Sequence, residues 1–135
     1  MAGKNKKIGG GGLHHVAIVA KDFDASVKFY KTLGFVKVVT WGKGDGRAIM
    51  LDIGDGSILE IFAGGKGVKP KGGFVHIALK STDVDAAMKL AIKAGAKVFM
   101  EPKDMTLPYK PPMKSRFAFC TGLEGEVIEF LYVRR

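Results

Sequence analysis

Residues 15–34 superimpose on residues 76–95 with a constant shift of 61 and no gap, and seven of those 20 positions are identical. The matches are His15/His76, Ala17/Ala78, Asp22/Asp83, Asp24/Asp85, Ala25/Ala86, Lys28/Lys89 and Gly34/Gly95. Apolar character is also kept at Val16/Ile77, Ile18/Leu79, Val27/Met88 and Phe29/Leu90. Self-similarity at a fixed offset means one supersecondary unit used twice, and every other expectation has to fit that duplication.

Each copy opens with a short apolar run that holds a histidine, residues 13–20 and 74–80, whose length and β-branched content suit a buried strand. Asp-x-Asp-Ala then predicts a helix start. Asp22 or Asp24, and Asp83 or Asp85, can accept backbone N–H bonds as N-caps. Val27, Phe29, Tyr30 and Leu33, or Ala87, Leu90, Ala91 and Ala94, supply an apolar face, and Gly34 and Gly95 stand where a helix-ending glycine belongs. Three strand signals follow in each half: 35–41, 48–53 and 57–62, then 97–100, 116–120 and 126–133. Asp55-Gly56 and Glu124-Gly125 mark the tight turns before the last strand of each half. Each half therefore reads βαβββ, an α+β pattern.

The expected organisation is a flexible basic, glycine-rich tail over 1–12, module one over 13–62, an exposed Gly/Lys-rich linker over 63–73 and module two over 74–133. Pro102, Pro108, Pro111 and Pro112 predict a long loop over 101–112.

With 135 residues, 47% of them hydrophobic, one domain can build a core without disulfides or structural metal, so a metal site would serve chemistry. Cys120 is the only cysteine, which excludes an internal disulfide and a cysteine-rich zinc module. No apolar run is long enough to span a membrane, and the first residues lack the hydrophobic segment of a signal peptide, so a cytoplasmic protein is expected. The net charge of +9 would attract anions, but the lysines are scattered and no nucleic-acid motif accompanies them. A small anionic or 2-oxo substrate is the expected partner instead.

Strand alternation places His15 with Ala17 and Val19 on one face, and His76 opposite in sense to Val75 and Ile77. Glu60 sides with Ile58 and Phe62, and Glu129 with Val127 and Leu131. An unpaired carboxylate in an apolar strand is costly, and two at matching positions call for a partner. Two imidazoles and two carboxylates around one divalent ion would supply it, since N/O donors suit Ni, Zn, Co, Mn or Fe and leave positions open for substrate. His14 could stand in for His15, but the 61-residue shift and the face argument both select His15.

The segments His15-Val-Ala-Ile-Val-Ala-Lys-Asp22 with Phe29-Tyr30, Leu59-Glu60-Ile61, His76-Ile-Ala-Leu79 and Gly125-x-x-Ile128-Glu129-Phe130 resemble the vicinal oxygen chelate superfamily, the glyoxalase I / bleomycin-resistance / dioxygenase fold. The resemblance implies two βαβββ modules forming a cup-shaped, eight-stranded incomplete barrel, closed within one chain or across a dimer, and it implies that the protein is a homodimer. It implies His15, Glu60, His76 and Glu129 as metal ligands, with Glu60 and Glu129 as the catalytic acid/base pair. The full His/Glu/His/Glu set is most similar to bacterial-type glyoxalase I, a lactoylglutathione lyase. A methylmalonyl-CoA epimerase-like enzyme and a metal-free bleomycin-resistance-type binding protein are the alternatives, and a dioxygenase is disfavoured because Glu60 would fill a position that O₂ chemistry leaves open. Glyoxalase I proteins that use glutathione carry Arg and Asn where this chain has Val19 and Gly64. Arg47 and Arg116 are the remaining candidates to anchor an anionic substrate group.

Overall fold

A computed structural model describes residues 4, 7, 9, 13, 15–67, 76–107 and 111–134. Most of the tail, His14, and linker residues 68–73 lie outside the described residues. Module one comprises β1 (His15–Val19), α1 (Phe23–Thr32), β2 (Val36–Trp41), β3 (Ala48–Asp52) and β4 (Ile58–Phe62), with a 3₁₀ turn at Gly44–Gly46. Module two repeats it with β5 (Ile77–Lys80), α2 (Val84–Ala94), β6 (Lys97–Leu107), β7 (Met113–Thr121) and β8 (Val127–Val133).

The strand orders are β1-β4-β3-β2 and β5-β8-β7-β6, so the duplication extends to topology. In each sheet the first and last strands of the module pair in parallel, which the intervening helix makes possible, and the remaining pairs are antiparallel. The four-stranded sheets do not close into a barrel within the chain.

Both helices begin at the first aspartate of each Asp-x-Asp. Asp22 accepts from Ala25 N–H and Asp83 from Ala86 N–H, each at 3.0 Å. Gly34 and Gly95 follow the helices at φ of 92° and 116°, a backbone region that opposes any side chain. The buried stripe of α2 is Val84, Met88 and Ala91, and Leu90 stands exposed beside it, contrary to the expected face. A residue one step before Ala91 is turned by roughly 100°, and burial follows the stripe Val84–Met88–Ala91. The predicted loop over 101–112 is corrected over 101–107, where β6 continues through Pro102 to Leu107, while residues 108–110 lie outside the described residues and 111–112 belong to no strand. As the outermost strand of its sheet, with register shifts at Val98/Met100 and Met100/Lys103, β6 tolerates a residue without an N–H.

One hydrophobic core joins the modules. Ile49, Leu51, Leu59 and Ile61 from the first sheet meet Phe29 and Tyr30 of α1, while Ala118, Cys120, Ile128 and Phe130 meet Met88 and Ala91 of α2. The two helices also touch each other, so they lie between the sheets. Each large side chain removed from water contributes roughly 1.5–3 kcal/mol.

Polar contacts between the modules fix their registry. The β7–β8 turn reaches α1, where Glu124 Oε1 accepts from Asp22 N–H at 2.6 Å and Glu126 Oε2 accepts from Tyr30 Oη at 2.9 Å. Burial, reinforced by the Glu126 charge, pushes the Tyr30 phenol well above its ordinary pKa and keeps it a proton donor. Ser26, buried on the same helix, has an Oγ without a hydrogen-bond partner among the described residues. Ser26→Ala removes that unpaired hydroxyl and adds the best helix former, so a gain of about 0.5–2 kcal/mol is expected in urea unfolding.

Candidate metal centre

The registers build two equivalent rows across the sheets. Ala17, Glu60, Met50 and Val39 stand side by side in module one, and Ala78, Glu129, Phe119 and Met100 in module two. Alternation puts each row on the face opposite the helices, because Leu59, Ile61, Ile128 and Phe130 point into the core. Glu60 is only 6% exposed, a carboxylate surrounded by apolar strand neighbours.

Each glutamate has its module's histidine as a neighbour. His15 Nε2 lies 3.8 Å from Glu60 Oε1, and His76 Nε2 lies 3.1 Å from Glu129 Oε2. The four residues nevertheless do not converge: among the described residues, no three His, Cys, Asp or Glu side chains gather as a metal-binding group. Each pair offers one imidazole nitrogen and one carboxylate oxygen. Those donor types fit a borderline divalent ion, but two donors make half a site.

The faces that carry the pairs are apolar and open. Val19, Val36, Val39 and Trp41 are exposed on module one, and Phe99 and Met105 on module two. Tyr30 is core, whereas Trp41 is 43% exposed.

Arg47 and Arg116 stand elsewhere. Arg116 on β7 donates to both carboxylate oxygens of Asp85 on α2, at 2.7 and 2.8 Å, and to Asp104 at 3.1 Å. Arg47 donates to Asp24 on α1 at 3.0 Å and lies over the Phe23 ring at 4.7 Å. Arg116 opposes Tyr132, and Arg47 bonds through its carbonyl to Ala63 N–H, so the arginines hold equivalent places, three residues before Met50 and Phe119, the register partners of the glutamates. Each ties its third strand to the N-terminal turn of its helix. An open cleft of about 480 Å³, lined in part by Thr106, Lys114, Tyr132 and Arg134, adjoins Arg116 on this side. The 61-residue shift does not relate these arginines. A shift of 69 does, and it also relates Gly56 to Gly125 and Glu60 to Glu129, so the signal was present in the sequence.

Cys120 is buried, and burial pushes its thiol up to about 11, which removes it from nucleophilic chemistry.

The family model described as Glyoxalase/Bleomycin resistance protein/Dioxygenase superfamily matches residues 12–130. The chain belongs to that superfamily. Among solved structures it is similar to a glyoxalase/bleomycin resistance protein/dioxygenase family enzyme from Burkholderia phytofirmans PsJN, with 20% identity, 92% of this chain and 100% of that one covered, and a TM-score of 0.71. A domain described in the same terms from Frankia sp. EAN1pec gives 18% identity, 93% coverage of each chain and a TM-score of 0.70. A glyoxalase family protein from Enterococcus faecalis gives 22%, coverage of 89% and 96%, and 0.66. At these identities the superfamily likeness extends to the fold. A search of curated proteins finds no match. No described helix is long and apolar enough to cross a membrane.

The arginine tether makes a pH prediction. Hydrogen bonds from Arg116 hold the Asp85 carboxyl below its ordinary value of 3.8. The unfolded chain therefore takes up that proton first, and the tether's contribution is complete above about pH 4 and lost as pH falls below it. Asp85→Asn should lower the urea midpoint at neutral pH, and its difference from the parent should shrink toward about pH 3.

Proposed function

We propose that this protein is a metal-dependent enzyme of the glyoxalase I kind, which moves a proton between adjacent carbons beside a carbonyl, and that a second copy of the chain completes its site. The observation that carries this reading is the pair of matching His–Glu couples, each on an apolar face that the described residues leave open. A two-fold axis that lays module one of one copy on module two of the other covers both faces at once. It brings His15 and Glu60 against His76 and Glu129 of the partner subunit, twice per dimer, as an isologous interface requires.

Those four donors would hold a divalent ion of the Ni, Zn, Co, Mn or Fe group, which would supply the positive charge that makes a C–H beside a substrate carbonyl acidic. The protein supplies the rest. A glutamate of the set, Glu60 or Glu129, removes the proton to a carboxylate oxygen, and the protonated carboxyl returns it to the neighbouring carbon. The apolar rows on either side exclude water from the exchange.

Subunit complementation tests the assembly and the metal together. Glu60→Gln and Glu129→Gln proteins should each lose stoichiometric metal. A heterodimer of the two has one site carrying both changes and one intact site, so reassociated equal mixtures should recover about a quarter of the parental metal and turnover. Mixtures with no recovery would place all four ligands in one chain. Parent protein that is dimeric but takes up no metal would leave a binding protein of the bleomycin-resistance kind.

A further inference from the structure

Three phenylalanines adjoin the His76–Glu129 pair, and the proton transfer uses none of them. Phe119 is in register with Glu129 and meets the His76 ring edge-on, centroids 5.2 Å apart at 83°. Phe99 and Phe117 meet Phe119 in the same manner, at 6.2 and 5.8 Å. Edge-to-face packing of this kind leaves ring surface available to a further planar group, and Phe99 is 63% exposed. Module one contributes Met50 in register with Glu60, with Trp41 and Val39 beyond it on β2.

The arginines are drawn away from the same faces, and the cation at the aromatic group is Lys103, whose Nζ lies 5.5 Å from the centroid of the Phe117 ring. Arg47 and Arg116 are bound by Asp24 and Asp85 on the helix side. Lys80, on the strand that follows His76, lies near Asp55, whose carboxyl is held low chiefly by the Ser57 hydroxyl and N–H and further by Lys80. A tripeptide thiol adduct, with its two carboxylates, would find no arginine there among the described residues.

We infer that the substrate's body, beyond the oxygens next to the ion, is an aromatic or flat apolar group seated against Phe119 and Phe99, and not a glutathione adduct. This rests on the metal-dependent reading above.

Benzohydroxamate and acetohydroxamate present the same two oxygens and differ by the ring, and S-methylglutathione presents the tripeptide. Their binding to the zinc-loaded full chain is measured by calorimetry and by the fluorescence of Trp41, the only tryptophan. Benzohydroxamate should bind at least about tenfold tighter than acetohydroxamate, with no measurable binding of S-methylglutathione. Phe119→Leu should cut that preference below about threefold while zinc content and dimer mass stay unchanged, and Phe99→Leu serves should Phe119→Leu fail to fold. Zinc-loaded protein that binds both hydroxamates equally, binds neither, or prefers S-methylglutathione overturns the inference and leaves the proposed reaction standing. Protein that takes up no zinc or other divalent ion overturns both.

Discussion

A four-stranded sheet has two faces, and each module has one helix with which to cover them. The face chosen is set by Ile49, Leu51, Leu59 and Ile61 in one sheet and by Ala118, Cys120, Ile128 and Phe130 in the other, all of which must leave water. Because α1 and α2 also pack on each other, the two covered faces share one interior. The position of the His–Glu pairs is a consequence. The glutamates stand on alternate residues of the same strands, so the packing that buries Leu59 and Ile61 presents Glu60 on the opposite side, and that which buries Ile128 and Phe130 presents Glu129. The clasp from Glu124 and Glu126 to α1 then holds the modules in that arrangement, with the Tyr30 phenol kept protonated by its own burial.

The polar residues follow the same division. Arg47 and Arg116 are long enough to reach across the helix-side edge of their sheets, and in both modules they meet the second aspartate of the helix start. The first aspartate caps the helix and the second tethers it, so Asp-x-Asp does two jobs in one turn. Guanidinium groups that might have lined the open faces are thereby committed elsewhere. What remains beside Glu60 is His15, Met50 and aliphatic strand, an environment in which an ionised carboxylate needs a nearby cation.

Much of this was legible in the chain because it is written twice. The offset of 61 located both strand–helix units, and the glycine-to-glutamate spacing located the last hairpins. Positions whose role depends on a distant neighbour were less legible. Asp22 and Asp24 are equally good caps in isolation, and only the reach of Arg47 separates their roles. Four prolines between 102 and 112 read as a loop, since periodicity does not reveal that β6 is outermost in its sheet and can omit a donor at Pro102. Tyr30 and Trp41 are both aromatic and both near predicted strands or helices. Which of them enters the core follows from the helix packing, which no local pattern states.

The two halves of the candidate centre have diverged in a way that bears on chemistry. A perfect repeat would set identical neighbours beside Glu60 and Glu129, and an assembly of such halves could hold a substrate equally well in either direction. Here the residue in register is Met50 in one module and Phe119 in the other, and the pair beside Phe119 is the closer, 3.1 Å against 3.8 Å. The outer strand differs as well, six residues in β2 and 11 in β6, and the position at the equivalent bulge is Val38 in one and Phe99, which joins the aromatic group, in the other. In the proposed dimer, these differences distinguish the two glutamates that flank a bound carbonyl. The proposed reaction, which takes a proton from one carbon and gives it to the next, needs such a direction, and the duplicated fold would supply it by changing the neighbours of the two His–Glu pairs and keeping the pairs themselves.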